Sequence, residues 1–438
     1  MTRESAIQDS DQKPGLFYGY VIVAIGFLCF ALIFSVNYAF GVFFKPLSGE
    51  FGWTRAMTAG AFSLGWITQG AVSIVMGGLN DRFGPRAVLT TSGVLIGGGY
   101  ILMSQIGALW HLYFFYGILV GAGLGGAFVP ITSTIARWFI KGRGTMTGLV
   151  TSGIGFGTLF GPVIANWLIH KYDWRVSYKV LGIMVLIGVV VAAQFLRRDP
   201  AQMGAKALGE EAFSDPSEKM NARGLLIGQI FFTRQFWIAS AMYFCYGYSL
   251  SAILLHLAPH ATDSGISAAN AASIVGVLGG GSIVGKIFLG MLADKIGAKN
   301  IYLLSFALML ASLLWLIFMT QAWALYVFAF VFGVSYGGLA AAHSMIIAWL
   351  FGMKQHGLIF GVLFNEYTLG CAVGPIIAGY IFDRTHSYQV AFMICAGLSL
   401  TALVLTSLLT PACDDRAPNG NRSLVDAAGS AVALGAAE

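Results

Sequence analysis

Apolar segments of helix length recur twelve times along this chain, near 18–43, 56–79, 87–107, 110–136, 145–169, 176–196, 235–258, 268–293, 300–320, 323–350, 357–382 and 389–411. About 20 apolar residues in a helix cross a hydrocarbon layer roughly 30 Å thick, so each segment is long enough to span. Inside lipid every backbone N–H and C=O must be satisfied within the segment or in a closed barrel. No ten-residue alternation of the barrel kind is present, so the expected fold is an all-α membrane protein with twelve transmembrane helices. Composition agrees: 10% of residues are charged, where a soluble domain carries about 25%. The 57 glycines suit helices that approach closely in lipid. A formal charge of +6 confined to short loops is no nucleic-acid signal. The five cysteines show no paired spacing, so neither a disulfide framework nor a metal site is expected.

Lysine and arginine crowd the even-to-odd connections, which places both termini in the cytoplasm. Residues 1–17 read as a polar cytoplasmic tail with no cleavable signal, and 412–438 as a second cytoplasmic tail. One long polar break, 197–233, carries Pro200, Pro216 and mixed charge. It divides the chain into six-helix bundles over 18–196 and 234–411. The halves repeat. Gly77-Gly-Leu-Asn-Asp81-Arg82-Phe-Gly84-Pro-Arg86 follows the second span, and Gly290-Met-Leu-Ala-Asp294-Lys295-Ile-Gly297-Ala-Lys299 follows the eighth, 213 positions later. Repeats with corresponding positions mark transporters whose site lies at their interface near midplane.

Lys286 stands inside the eighth apolar run. At 1.5 Å per residue it lies about 12 Å inward from Asp294, near the middle of the layer. A lone ammonium there costs on the order of 2.5–3.5 kcal/mol on insertion scales, so it is expected to face water or a counter-charge. Glu366 is the matching lone charge inside the eleventh run. The two could form a structural pair, or Lys286 could hold Glu366 when empty and release it to an incoming anion or proton.

The glycine-rich turns with Asp81 and Asp294, together with twelve spans, resemble the major facilitator superfamily. That resemblance implies two six-helix bundles around a central cavity, with Asp81 and Asp294 latching the cytoplasmic face beside Arg82, Arg86 and Lys295. A narrower likeness rests on Tyr18-Gly-Tyr, Phe40-Gly-Val-Phe-Phe-Lys45-Pro46, Glu50-Phe-Gly-Trp53-Thr-Arg55, Arg137-Trp-Phe-Ile-Lys141-Gly-Arg143-Gly and His256-Leu-Ala-Pro259-His-Ala-Thr-Asp263. These stretches are similar to the bacterial monocarboxylate transporter and oxalate:formate antiporter group. There a basic residue in helix eight, usually arginine, holds the substrate carboxylate. Lys286 occupies that position and offers a point charge in place of a bidentate fork. The lysine that oxalate-type antiporters carry in helix eleven is missing from Leu363-Phe-Asn365-Glu366-Tyr367-Thr368, which argues against a dicarboxylate.

The resemblance implies a secondary transporter of small monocarboxylates, proton-coupled, in the bacterial inner membrane. Anion exchange and a non-transporting sensor on the same fold stand as alternatives. Its partners are a small carboxylate, a proton and the bilayer; no cofactor is expected, and the chain reads as a monomer and not as an enzyme. Expected site residues are Lys286 for the anion, Glu366 and His256 for the proton, and His256, Phe128, Asn37, Tyr38, Ser282, Tyr336 and Tyr367 as substrate-binding cavity lining. His343 reads as a helix–helix hydrogen bonder and His260 as solvated.

Overall fold

A computed structural model describes residues 17–140, 143–204, 206–208, 230–319, 321–352 and 356–412. Among the described residues, twelve helices are long and apolar enough to cross a membrane: α1 Tyr18–Phe51, α2 Arg55–Asn80, α3 Pro85–Met103, α4 Leu109–Trp138, α5 Gly144–Lys171, α6 Trp174–Gln194, α7 Arg234–Asp263, α8 Ala268–Ile296, α9 Ala298–Phe318, α10 Ala322–Phe351, α11 Leu358–Thr385 and α12 Gln389–Ser407. An even number of crossings puts the first and last spans' free ends on one face, called the termini face below; the opposite face is the distal face. Most of the expected linker and tails lies outside the described residues.

Two spans depart from plain α-helix. α1 breaks at Ala39, between helices Tyr18–Tyr38 and Phe40–Phe51, and so runs farther than the apolar run alone suggested. α4 carries a π-helical stretch, Tyr113–Val120, ahead of the small-residue run Gly121–Gly125. Helix starts use the expected side chains: Thr54 Oγ1 accepts from Met57 N–H at 3.2 Å and Asp173 Oδ1 from Val176 N–H at 2.7 Å.

The halves are packed alike. α1 lies against α5, α2 against α4 and α3 against α6; the second half matches these with α7 against α11, α8 against α10 and α9 against α12. Small residues four apart make the contacts. A Cβ on Gly153, Gly157 or Gly161 of α5 would land on the α1 backbone at Phe27, Ala31 and Ser35 in turn. Lipid offers no hydrophobic drive for helices to associate, so close backbone approach and van der Waals contact must hold them.

The repeated turns also match. Gly84 (φ +82°) and Gly297 (φ +86°) hold a backbone conformation that side chains with a Cβ resist. Arg86 Nε donates to the Leu196 carbonyl at 2.5 Å, just past α6. Lys299 Nζ donates to the Ser407 and Leu409 carbonyls at 2.9 and 2.8 Å, at the end of α12. A cation on unpaired carbonyls at a helix C-terminus is favourable. Each half is thus tied from the start of its third span to the end of its sixth. The sequence reading gave the latching role to the aspartates, but Asp294 is exposed and forms no ion pair among the described residues. The Asp81 side chain lies outside the described residues.

Gly297→Ala should cost about 1–2 kcal/mol of stability because of its left-handed backbone. Gly77→Ala, a helical position with open space where the Cβ would go, should cost nothing measurable. Thermal unfolding of the purified variants in detergent checks the contrast.

Candidate functional site

Lys286 is 7% exposed and points between the halves. Its Nζ donates to the Thr151 carbonyl of α5 at 3.0 Å and lies 5.5 Å from the Tyr336 ring centroid. The neighbouring Ile287 and Phe288 are exposed, so α8 turns its charge away from the hydrocarbon-facing side. Glycines bring α5 and α8 together here: Gly279 meets Thr158 and Leu159, and Gly155 meets Ser282 and Ile283. One of the three ammonium donors is occupied by Thr151, which leaves two for an anion.

Glu366 is half-buried and forms no ion pair among the described residues. The expected Lys286–Glu366 pair is therefore absent, and a backbone carbonyl of the other half takes its place. The physical reason is lateral position: Lys286 sits on the α5–α8 seam, whereas Asn365 and Thr368, flanking Glu366, face Gly70 on the α2–α11 seam.

Other expected lining residues divide. Tyr38 is buried with its phenol beside that of Tyr336. Tyr367 packs on Trp66 of α2 (centroids 5.9 Å) and on Tyr246 of α7 (5.1 Å). Phe128 lies near-parallel to Phe364 of α11 across the gap, centroids 6.2 Å apart. Asn37 instead accepts from Tyr116 OH at 2.8 Å inside the first bundle. Ser282 donates to the Gly279 carbonyl of its own helix at 2.8 Å. Tyr246, Trp66, Phe364 and Thr151 belong to the same interior and carry no sequence signal of their own, since aromatics make up 14% of the chain.

His256 is fully buried, its Nε2 bonded to the Pro375 carbonyl at 2.9 Å and its Nδ1 to Tyr388 OH at 3.0 Å. A carbonyl only accepts, so Nε2 carries the hydrogen. With the ring neutral, Nδ1 accepts from Tyr388. Tyr388 lies between α11 and α12, where burial pushes its phenol well up, so it remains a donor. His260 was expected in solvent but packs edge-on against Phe392 (4.9 Å) and Tyr388 (5.9 Å). His343 stacks between Tyr243 and Phe360, each 4.5 Å away.

The histidine network continues into a clamp across the distal face. Arg55, at the start of α2, contacts Tyr388 OH, pairs with Asp263 Oδ2 at 2.6 Å and lies 3.6 Å over the Phe382 ring. Lys45 reaches the other Asp263 oxygen at 3.0 Å. Asp383 accepts from the Arg55 and Ala56 backbone N–H groups, both at 2.9 Å, and so caps α2 from the other half. Among the described residues, every ion pair joining the halves is in this clamp. On the termini face Gly77, Gly144, Gly148 and Gly361 have nothing within 4 Å of where a Cβ would sit. The clamp therefore ties the halves together at the distal face. On the termini face Arg137 pairs with Asp199 at 3.2 Å, and Arg82 is exposed. Lys141 and the Arg143 side chain lie outside the described residues.

The model of the Major Facilitator Superfamily matches residues 26–286 and 239–433. The chain belongs to the Major Facilitator Superfamily. Curated relatives include human monocarboxylate transporter 11, 27% identical over 88% of this chain and 81% of that protein. Chicken (Gallus gallus) monocarboxylate transporter 4 is 28% identical over 87% and 81%. The oxalate:formate antiporter of Oxalobacter formigenes is 25% identical over 91% and 94%. Among solved structures, a bacterial homologue of the human lysosomal transporter Spinster, described as inward-facing and unoccupied, superposes with a TM-score of 0.63 at 16% identity, covering 90% of this chain and 95% of that one. The superfamily fold, two six-helix bundles meeting at a central seam, is thus the fold of this multi-pass membrane protein. The family and these relatives are transporters of small molecules.

Arg55→Ala removes the side chain that touches Asp263, Tyr388 and Phe382 together. A cysteine introduced by Val42→Cys, in the small distal cleft that Lys45 and Thr262 also line, should then react several times faster with a membrane-impermeant thiol reagent. An unchanged labelling rate would mean that the clamp does not hold the distal face shut.

Proposed function

We propose that this protein is a secondary transporter of small monocarboxylate anions, coupled to protons and working by alternating access in a bacterial inner membrane with both termini cytoplasmic. The observation that carries this reading is Lys286: one buried ammonium on the seam between the halves, with two donors to spare. No second lysine or arginine stands at mid-depth in the spans among the described residues, so the interior has charge for one carboxylate. The monocarboxylate-transporter relatives support the same class.

The mechanism follows from where the charges sit. In the described state the halves are clamped distally, and Lys286 leans on a carbonyl of the opposite half. An arriving carboxylate takes the free donors and neutralises the ammonium. That lowers the cost of closing apolar walls around it, since an unpaired charge in the low-dielectric interior is expensive. Closing the termini face requires the distal clamp at Arg55 and Asp263 to open, because the halves rock about the central site. An anion moving alone works against the membrane potential by about 2.3 kcal/mol per 100 mV per charge; a co-carried proton cancels that work. Glu366, half-buried and without an ion pair, is the group assigned to take that proton.

Uptake of labelled lactate into proteoliposomes under an imposed pH gradient tests the proposal. The wild type should concentrate lactate with the gradient, and Lys286→Ala should abolish this. Uptake that needs internal anion and ignores the gradient would make the protein an exchanger, and binding without flux would make it a sensor.

Glu366→Gln should leave lactate binding intact while uptake ceases to respond to the pH gradient. A gradient response equal to wild type would remove Glu366 from the coupling.

A further inference from the structure

The aromatic side chains at the seam form a continuous run of rings through both halves. Starting at Lys286, the ammonium lies over Tyr336, whose phenol meets that of Tyr38. From Tyr38 the rings run to Phe34 (5.4 Å), Phe30 (5.9 Å) and Phe128 (5.5 Å), all in the first half. Phe128 crosses the gap to Phe364 (6.2 Å), which leads to Tyr367 (5.5 Å) and Tyr246 (5.1 Å) in the second half. Each half contributes four of the eight rings. Six are buried; Phe128 and Phe364 are the two left partly exposed, and they lie within 18° of parallel.

We infer that this run of rings selects monocarboxylates whose tail is a flat aromatic ring over those with a short aliphatic tail, and that Phe128 and Phe364 are the residues that make the choice. The inference rests on the monocarboxylate reading above and narrows its substrate class. The chemistry is directional. The faces of the rings are electron-rich, which repels a carboxylate and favours the positive edge of another ring. Lys286 is the cation on this run, beside the phenol pair Tyr38 and Tyr336. A solute seated at the seam therefore has one orientation: carboxylate at Lys286, tail against Phe128 and Phe364. A methyl group or hydroxyl fills little of that wall, whereas a phenyl ring can stack on it. Phe128 and Phe364 also belong to opposite halves, so a ring touching both is gripped more tightly as the halves close.

Pyruvate and phenylpyruvate differ by one phenyl ring and form the test pair. Purified wild-type protein should bind phenylpyruvate at least about tenfold more tightly than pyruvate, which is within the free energy of burying one ring. It should show the same order in proteoliposome uptake. Phe364→Leu and Phe128→Leu keep an apolar side chain and remove the ring face. Both should erase most of the phenylpyruvate advantage by lowering phenylpyruvate binding and uptake several times more than pyruvate binding and uptake, with thermal unfolding confirming that the variants are folded. Equal affinities in the wild type, a preference for pyruvate, or an undiminished phenylpyruvate advantage in both variants would overturn the inference and leave the monocarboxylate reading standing. Failure of both acids to bind or move would overturn that reading, and this inference with it.

Discussion

A single ammonium in a low-dielectric interior must find an oxygen or leave the membrane, and that demand organises the centre of this molecule. Lys286 meets it by bonding to a carbonyl of the opposite half, Thr151. The bond is reachable because glycines on both helices remove the side chains that would keep α5 and α8 apart. A backbone carbonyl is a modest partner for a full charge, since it brings a dipole and no counter-charge. The ammonium is therefore held in place yet remains receptive to an anion, as a binding site between two moving bodies requires. A carboxylate partner within the protein would have filled the site with its own salt bridge.

The distal clamp answers a different demand. It must hold the halves together in one state and let them separate in another. Lys45 and Asp263 lie toward the rim, 45% and 28% exposed, and Arg55 sits deeper at 14%; the Lys45 pair, the more exposed one, contributes roughly 0–1 kcal/mol. The deeper members of the network, His256 and Tyr388, are satisfied within the second half. Arg55 joins the two sets and is the one side chain that bonds the carboxylate, the phenol and the Phe382 face across the halves. Polar contacts near water can be exchanged for hydration at little cost, so a clamp made of them can open without unfolding either half.

The candidate site was only partly legible in the chain. Lys286 stood out because one charge in a long apolar run has few physical explanations. Glu366 stood out for the same reason, but depth alone could not say which seam each would face. Asn37 and Ser282 lie at suitable depths too, and a rotation about their helix axes decides that they bond within their own halves. His256 belongs to the distal clamp because α7 passes behind α11 at Pro375. Tyr246, Trp66 and Phe364 are ordinary aromatics in a chain rich in them, and only their convergence distinguishes them.

What the sequence determined by itself is local or periodic. The number of spans follows from the length of each apolar run. The repeat follows from two matching turns, and glycine at Gly84 and Gly297 follows from backbone sterics. The tertiary structure alone decided which residues meet across the seams: Lys286 with Thr151, Arg55 with Asp263 and Tyr388, Phe128 with Phe364. These partners stand far apart along the chain. Their meeting depends on the rotation of each helix and on how two bundles close, and both are set by packing summed over many residues.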